Sequence, residues 1–310
     1  MARLQNLRLV ILPLVALAAV LVGCSGGPST DPAATTVTGA GLRQIRIVAA
    51  ASFWGSIASQ IGGDRVAVTS LITDPSADPH LFESDAQSAA AIAQADMVIA
   101  NGAGYDDFVN KLLGASSNPS RTVLSVAEVL GVSDSDANPH LWYDVPRIPL
   151  VAKAIEQALA TKDPANAALF SENLARFEAD LEPVLSAISD IRNTYSGAPV
   201  AYTERVSEYL LAAAGLAVKT PPGFATAVEE GYEPGPADTA AMEALITGHQ
   251  VKLLLYNTQA TSRTTQRVQD LAREAGIPVV GVTETPPPEY PTYQSWQLAQ
   301  ARAILQALGG

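Results

Sequence analysis

Ile45-Arg46-Ile47-Val48-Ala49-Ala50-Ala51-Ser52-Phe53-Trp54, followed after a helical interval by Val66-Ala67-Val68-Thr69-Ser70-Leu71-Ile72, is the stretch on which the fold turns. Two isoleucines flank Arg46 before the first run becomes wholly apolar, as in a strand covered on both faces. Ser52 onward predicts a helix and Val66–Ile72 a second strand, which is βαβ rhythm.

Downstream the rhythm continues. A helix over Ala86–Gln94 leads to an apolar strand at Met97–Ala100, and Thr122–Val126 is another short, mostly apolar run. Strands with little polar alternation, separated by helices, predict a parallel sheet covered on both faces. From Asp163-Pro164 to Tyr195, apolar residues at 170, 174, 177, 181, 185, 188 and 191 predict one long helix. Asp163 is its expected N-cap, Pro164 its first helical residue, and Pro183 should bend it.

A second α/β unit follows, with strands at 199–202, 251–256 and 277–282, helices over 206–214 and 263–275, and a closing helix over 296–308. The expected fold is α/β: two similar lobes with parallel sheets, 43–162 and 197–310, joined by a long rigid helix over 163–196. About 270 residues is long for one core and suits this division.

Upstream, Arg3 and Arg8 precede an apolar stretch from Leu9 to Val22, too short and too early for a membrane span; residues 1–23 read as an export signal. Leu21-Val22-Gly23-Cys24 looks like a bacterial lipobox, in which Cys24 would be diacylated and anchor the chain at the cell membrane, outside the cytoplasm. Cys24 is the chain's single cysteine, so no intramolecular disulfide competes for it. Residues 24–42, rich in Gly, Ser, Thr, Pro and Ala, read as a tether.

The formal net charge is −12, and removing the signal with its two arginines makes it more negative still. That balance argues against nucleic acid and favours a cationic ligand. No nucleophile-elbow serine and no glycine-rich phosphate loop is present.

Of three histidines, two sit in near-copies of one tripeptide, Asp78-Pro79-His80 and Asn138-Pro139-His140. A transition-metal site needs imidazole nitrogens held at fixed geometry, and proline stiffens the backbone just before each ring. The plain alternatives are a surface histidine in a turn-rich loop for His80 and a loop packed by Trp142 for His140.

Lipobox, early strand, both Pro-His motifs, the sequence Asn138-Pro139-His140-Leu141-Trp142 and the long helix together resemble the cluster A-I metal receptors, the zinc- and manganese-binding solute-binding proteins of ABC importers. The resemblance covers nearly all of the mature chain. It implies a metal held between two lobes by two ligands from each: His80 and His140 from the first, Glu204 after Tyr202-Thr203 from the second, and Glu284 after the last core strand. Pro286-Pro287-Pro288-Glu289 departs from the usual pattern and makes Glu289 the alternative to Glu284. Glu204 at a helix start is equally explained by the helix dipole.

Asp144 is expected either to orient an imidazole or to cap the helix beyond Pro146. Glu229, Glu230 and Glu233 read as a solvated acidic loop, and His249 as a turn residue. Two imidazoles and two carboxylates suit Mn²⁺ or Fe²⁺, whereas Zn²⁺ usually binds such a set more tightly; lacking a His-rich loop in the first lobe, the chain leans towards Mn²⁺ over Zn²⁺, with Fe²⁺ third. The resemblance further implies a permease and its ATPase as partners and a monomeric receptor, not an enzyme. The rivals are a surface metal-dependent hydrolase and an adhesive or scaffolding lipoprotein without metal.

Overall fold

The computed structural model describes residues 43–133 and 137–309, which belong to one compact unit, Leu42–Gly310. The expected export signal, Cys24 and the expected tether lie outside the described residues. β1 (Ile45–Ala51), α1 (Ser52–Gly62), β2 (Val66–Ile72), α2 (Ala86–Gln94), β3 (Met97–Ala100), α3 (Asp107–Ala115), β4 (Thr122–Ser125), α4 (Val126–Val129) and α5 (Ile148–Lys162) form the first half. After α6 (Ala167–Tyr195) come β5 (Pro199–Tyr202), α7 (Glu208–Ala213), β6 (Ala217–Val218), α8 (Pro222–Glu229), α9 (Pro236–Thr247), β7 (Leu254–Asn257), α10 (Arg263–Glu274), β8 (Val279–Val282) and α11 (Tyr293–Gly309).

Each half carries one four-stranded sheet, ordered β2-β1-β3-β4 and β6-β5-β7-β8, with every pairing parallel. The two orders are the same once the second half is renumbered from its own first strand. In both, the chain reverses direction of travel across the sheet beside its first strand, and parallel sheets bind ligands outside their strands' carboxyl ends at such a switch point.

Local chemistry accounts for the boundaries. Asp85 caps α2 by accepting the Ser88 N–H at 2.8 Å, and Ser262 and Thr265 form a reciprocal capping box on α10. At the long helix the expected cap is replaced: Asp163 accepts both the Nε and an Nη of Arg65, at 3.1 and 2.9 Å, and a 3₁₀ turn over Pro164–Asn166 precedes α6. Both bonds end on Oδ2, which also accepts Asn166 Nδ2–H at 2.8 Å, so that oxygen serves side-chain donors instead of the helix N-terminus. The α6 helix runs through Pro183, burying Phe170, Leu174, Phe177, Leu181, Ile188 and Ile191 along one face. The strand expected over 251–256 narrows to Leu254–Asn257, although Lys252 N–H still donates to the Pro199 carbonyl at 2.8 Å.

A single hydrophobic cluster runs through both halves, from Ile45 to Leu308, and takes in α6 and α11. Trp54, Trp142 and Trp296 are fully buried in it, with Phe53 stacked 4.1 Å from Trp142. Helix α11 reaches back to the first half: Tyr293 N–H donates to Ser56 Oγ at 3.0 Å and its hydroxyl to the Trp142 carbonyl at 2.5 Å. Among the described residues no helix is long and apolar enough to cross a membrane.

Candidate metal centre

The two Pro-His loops share one local device. Asp78 Oδ1 accepts the His80 backbone N–H at 2.9 Å, and Asn138 Oδ1 accepts that of His140 at 3.0 Å. These are Asx turns with proline at the intervening position, where its fixed φ favours the bend. His80 lies in the 3₁₀ turn Pro79–Leu81 beyond the carboxyl end of β2; His140 caps the turn Leu141–Tyr143 beyond β4 and α4. Asn101, just past β3, donates to the Pro139 carbonyl at 2.9 Å and accepts Trp54 Nε1–H at 3.2 Å, tying the second loop to the first sheet.

Glu204 follows β5 and Glu284 follows β8, so both carboxylates emerge at the carboxyl ends of the second sheet. Asn257, the last residue of β7, bridges them: its Nδ2 donates to Glu204 Oε2 at 2.6 Å and to Glu284 Oε1 at 2.9 Å. Gln259 Oε1 accepts the Glu284 and Thr285 N–H groups at 2.5 and 3.1 Å. Each carboxylate therefore has one oxygen committed to Asn257 and the other facing the histidines.

Those facing atoms converge. His80 Nε2 lies 3.2 Å from Glu204 Oε1 and 3.6 Å from Glu284 Oε2; His140 Nε2 lies 3.7 and 3.6 Å from the same oxygens. All four candidate ligand atoms are within 4.8 Å of one another. A cation with tetrahedral ligand bonds of about 2.0–2.2 Å separates its ligand atoms by about 3.4 Å, so the set is already spaced for one ion. His140 supplies the clearest sign of a missing partner. Its Nδ1 is engaged by Asn138 Oδ1 at 2.7 Å, which places the proton there, while its Nε2 is fully buried without a hydrogen-bond partner. A buried nitrogen lone pair left bare is costly unless a cation takes it.

The electrostatics agree. Burial acts to lower the His80 pKa, but the Glu204 hydrogen bond and the charges of Glu284, Glu204 and Asp78 outweigh it and lift it to about 9. Glu204 is raised by burial and by the Glu284 charge. For Glu284 burial also pushes upward, yet the His140 and His80 rings and the Asn257 amide hold it below the ordinary carboxylate range. Tyr105, raised by burial and the Glu284 charge, stays a donor and gives its O–H to Glu284 Oε2 at 3.2 Å. Two buried carboxylates thus face a protonated His80 in the metal-free state, and a dication would replace that proton.

The structure brings His80, His140, Glu204 and Glu284 together and leaves Glu289 exposed and apart. Asp144 does not orient an imidazole; it stands at the N-cap position of the 3₁₀ turn Val145–Arg147 without a side-chain cap bond and accepts Arg147 Nη1 at 3.2 Å, while Asn138 does the orienting. Glu229 corrects the solvated-loop reading, since it ends α8 and grips Arg205 in a bidentate pair at 2.7 and 2.8 Å, while Glu230 and Glu233 are exposed. His249 sits in a turn at φ 50°. Asn257, Gln259 and Tyr105 were not anticipated; a polar residue at the carboxyl end of an apolar strand, as in Leu254-Leu255-Tyr256-Asn257, is the signal that points to the first.

Known proteins share this chain's sequence pattern and fold. The chain is 26% identical over 179 residues to the manganese-binding lipoprotein MntA of Halalkalibacterium halodurans, a match spanning 57% of each chain. It is 23% identical over 273 residues to the protein of the same name from Bacillus subtilis, covering 83% of this chain and 82% of that one. The chain thus spans a little over half the length of the first relative. The solved structure of the periplasmic zinc binding protein TroA from Treponema pallidum superposes with a TM-score of 0.73 at 19% identity, over 86% of this chain and 99% of that one, and shares the fold. A family profile described as ZnuA, zinc-uptake complex component A, periplasmic, matches residues 47–307, and to that family the chain belongs.

Proposed function

We propose that the chain is the extracytoplasmic receptor of a metal importer, binding one divalent transition-metal ion as cargo through His80 Nε2, His140 Nε2 and one oxygen each of Glu204 and Glu284. The observation that carries this reading is the bare, buried His140 Nε2 facing two carboxylate oxygens whose partners are already fixed by Asn257. Neutral imidazoles and two carboxylates balance a dication, so the loaded site is uncharged where it is driest.

The cargo is Mn²⁺ in preference to Zn²⁺, because two of four donors are hard oxygens. The relatives named as manganese-binding support that choice, and the zinc-uptake description of the family keeps Zn²⁺ as the competitor. With four protein ligands the ion has no free tetrahedral position for an activated water, which favours carriage over hydrolysis. Residues 43–162 and 197–310 act as the two lobes and 163–196 as their link. Their common core and α6 restrict closure to a small tilt with motion of the His80 loop. The partners are a membrane permease and its ATPase, and a diacylated Cys24 holds the monomer at the membrane surface.

Elemental analysis of protein purified from its native membrane tests the reading. About one equivalent of Mn or Zn in the wild type and none in a His80→Ala, His140→Ala double variant is expected. Metal-free wild-type protein that also fails to take up either ion on titration would overturn it.

A further inference from the structure

The two most exposed large apolar side chains among the described residues are Leu81, 74% exposed, and Tyr232, 69% exposed. They come from opposite halves of the chain yet line one groove of about 210 Å³, together with Asp78, Val228, Ala260 and Ser262. Leu81 directly follows His80. Tyr232 follows α8, whose last residue Glu229 grips Arg205, the neighbour of Glu204. The groove therefore touches the segment that carries His80 and, in the second half, the end of α8, which the Glu229–Arg205 pair ties to the residue beside Glu204. Exposed apolar residues that cluster, instead of scattering singly, mark contact sites.

Size and charge say what fits. Small-molecule sites measure roughly 300–1,000 Å³, so this groove suits a single apolar side chain. Beside it, a second cavity of about 580 Å³ shares Leu81 and is lined by Asp74, Asp78 and Glu83 with no cation. On the other side of His80, Glu229 and Glu230 meet one cation, Arg205, already paired with Glu229. An apolar anchor in an acidic rim is complementary to an apolar residue flanked by lysine or arginine.

We propose that this groove is the docking seat for an apolar, cation-flanked extracytoplasmic segment of the permease, an inference that rests on the receptor reading above. Docking there also acts on release. The His80 loop is held to the second half by Gln259 Nε2 donating to the Ala77 carbonyl at 2.9 Å and Thr285 Oγ1 donating to the Asp74 carbonyl at 3.3 Å. A segment that captures Leu81 draws that loop off these two neutral bonds and takes His80 with it.

The test places Leu81→Ser with Tyr232→Ser, and separately Glu83→Lys, in the native gene, and measures cell-associated Mn and Zn after growth in metal-poor medium. The purified proteins are titrated with Mn²⁺ and Zn²⁺ and sized in solution. The double serine variant is expected to bind metal within twofold of the wild type while uptake falls at least tenfold, to the level of the His80→Ala, His140→Ala strain; Glu83→Lys lowers uptake several-fold. Unchanged uptake overturns the proposal, as does a parallel loss of metal affinity, which would make the groove part of the metal site. A wild type that dimerises where the serine variant does not, with uptake intact, assigns the groove to a second copy and overturns it too. A wild type that binds neither ion overturns the receptor reading itself, and the titration shows this independently of uptake.

Discussion

The loops Asp78-Pro79-His80 and Asn138-Pro139-His140 have the same backbone turn and opposite surroundings. The His140 side chain is completely buried, edge-on to Trp142 at 5.2 Å, and its Nδ1 is fixed by Asn138. His80 is 22% exposed at the side chain, and the Asp78 carboxylate serves its backbone N–H without a bond to its ring among the described residues. Asn138 does more still. Its Nδ2 donates to the Arg205 carbonyl at 2.8 Å and to Glu208 at 2.9 Å, and its own carbonyl accepts the Tyr209 hydroxyl at 2.9 Å. One motif thus occurs twice, once holding an imidazole welded to both halves and once holding an imidazole that solvent reaches. The difference between an amide and a carboxylate at the first position matters because only the amide can accept from the ring and donate to Glu208 at once.

The largest effect that could break this comparison comes from removing ligands. His140→Ala and Glu284→Ala should each weaken Mn²⁺ binding beyond the roughly 10–100-fold that partners of ligands control, measured by calorimetric titration. Next, Asn138→Ala should cost within that range, because the ring loses its tautomer and the halves lose two bonds, whereas Asp78→Ala should cost less than tenfold. Equal losses in the two variants would show that the loops are equivalent after all.

The pH dependence sharpens the contrast at the His80 side. A folded-state pKa of about 9 against an unfolded value of about 6.5 means that protonated His80 stabilises the metal-free protein fully below about pH 6.5, and that this contribution disappears as pH rises through about 9. Metal must displace that proton from the folded protein, so affinity should climb as pH rises towards about 9 and level off above it. Titrations at pH 7.5 in buffers of different ionisation enthalpy should show about one proton released per ion; no release would mean that His80 is already neutral.

Smaller effects are expected away from the four candidate ligands. Asn257→Ala leaves both carboxylates short of a donor and should destabilise the fold by about 1–3 kcal/mol, read from urea unfolding. Glu289→Ala, at an exposed position, should change metal affinity by less than twofold.

Much of this architecture is legible in the residues themselves. The run from Ile45 to Ile72 announces a buried parallel unit because its strands carry almost no polar alternation, and both Pro-His turns follow from local Asx and proline chemistry. The carboxylate side is less legible. Glu204 can be placed by its position between a strand end and a helix start, but choosing Glu284 over Glu289 needs the three-dimensional course of the proline-rich segment, which turns Glu289 to solvent. Asn257 and Tyr105 reach Glu284 from distant parts of the chain, and no periodicity encodes such a contact. Glu229 reads as solvated because Arg205, which buries it, is supplied by another element.

A crystal of the protein soaked in Mn²⁺, with anomalous diffraction collected on both sides of the Mn and Zn absorption edges, tests the central claim most directly. The account predicts one anomalous peak about 2.0–2.3 Å from His80 Nε2, His140 Nε2 and an oxygen of each of Glu204 and Glu284. A peak bound elsewhere, or a saturated crystal with no peak among these four residues, would contradict it.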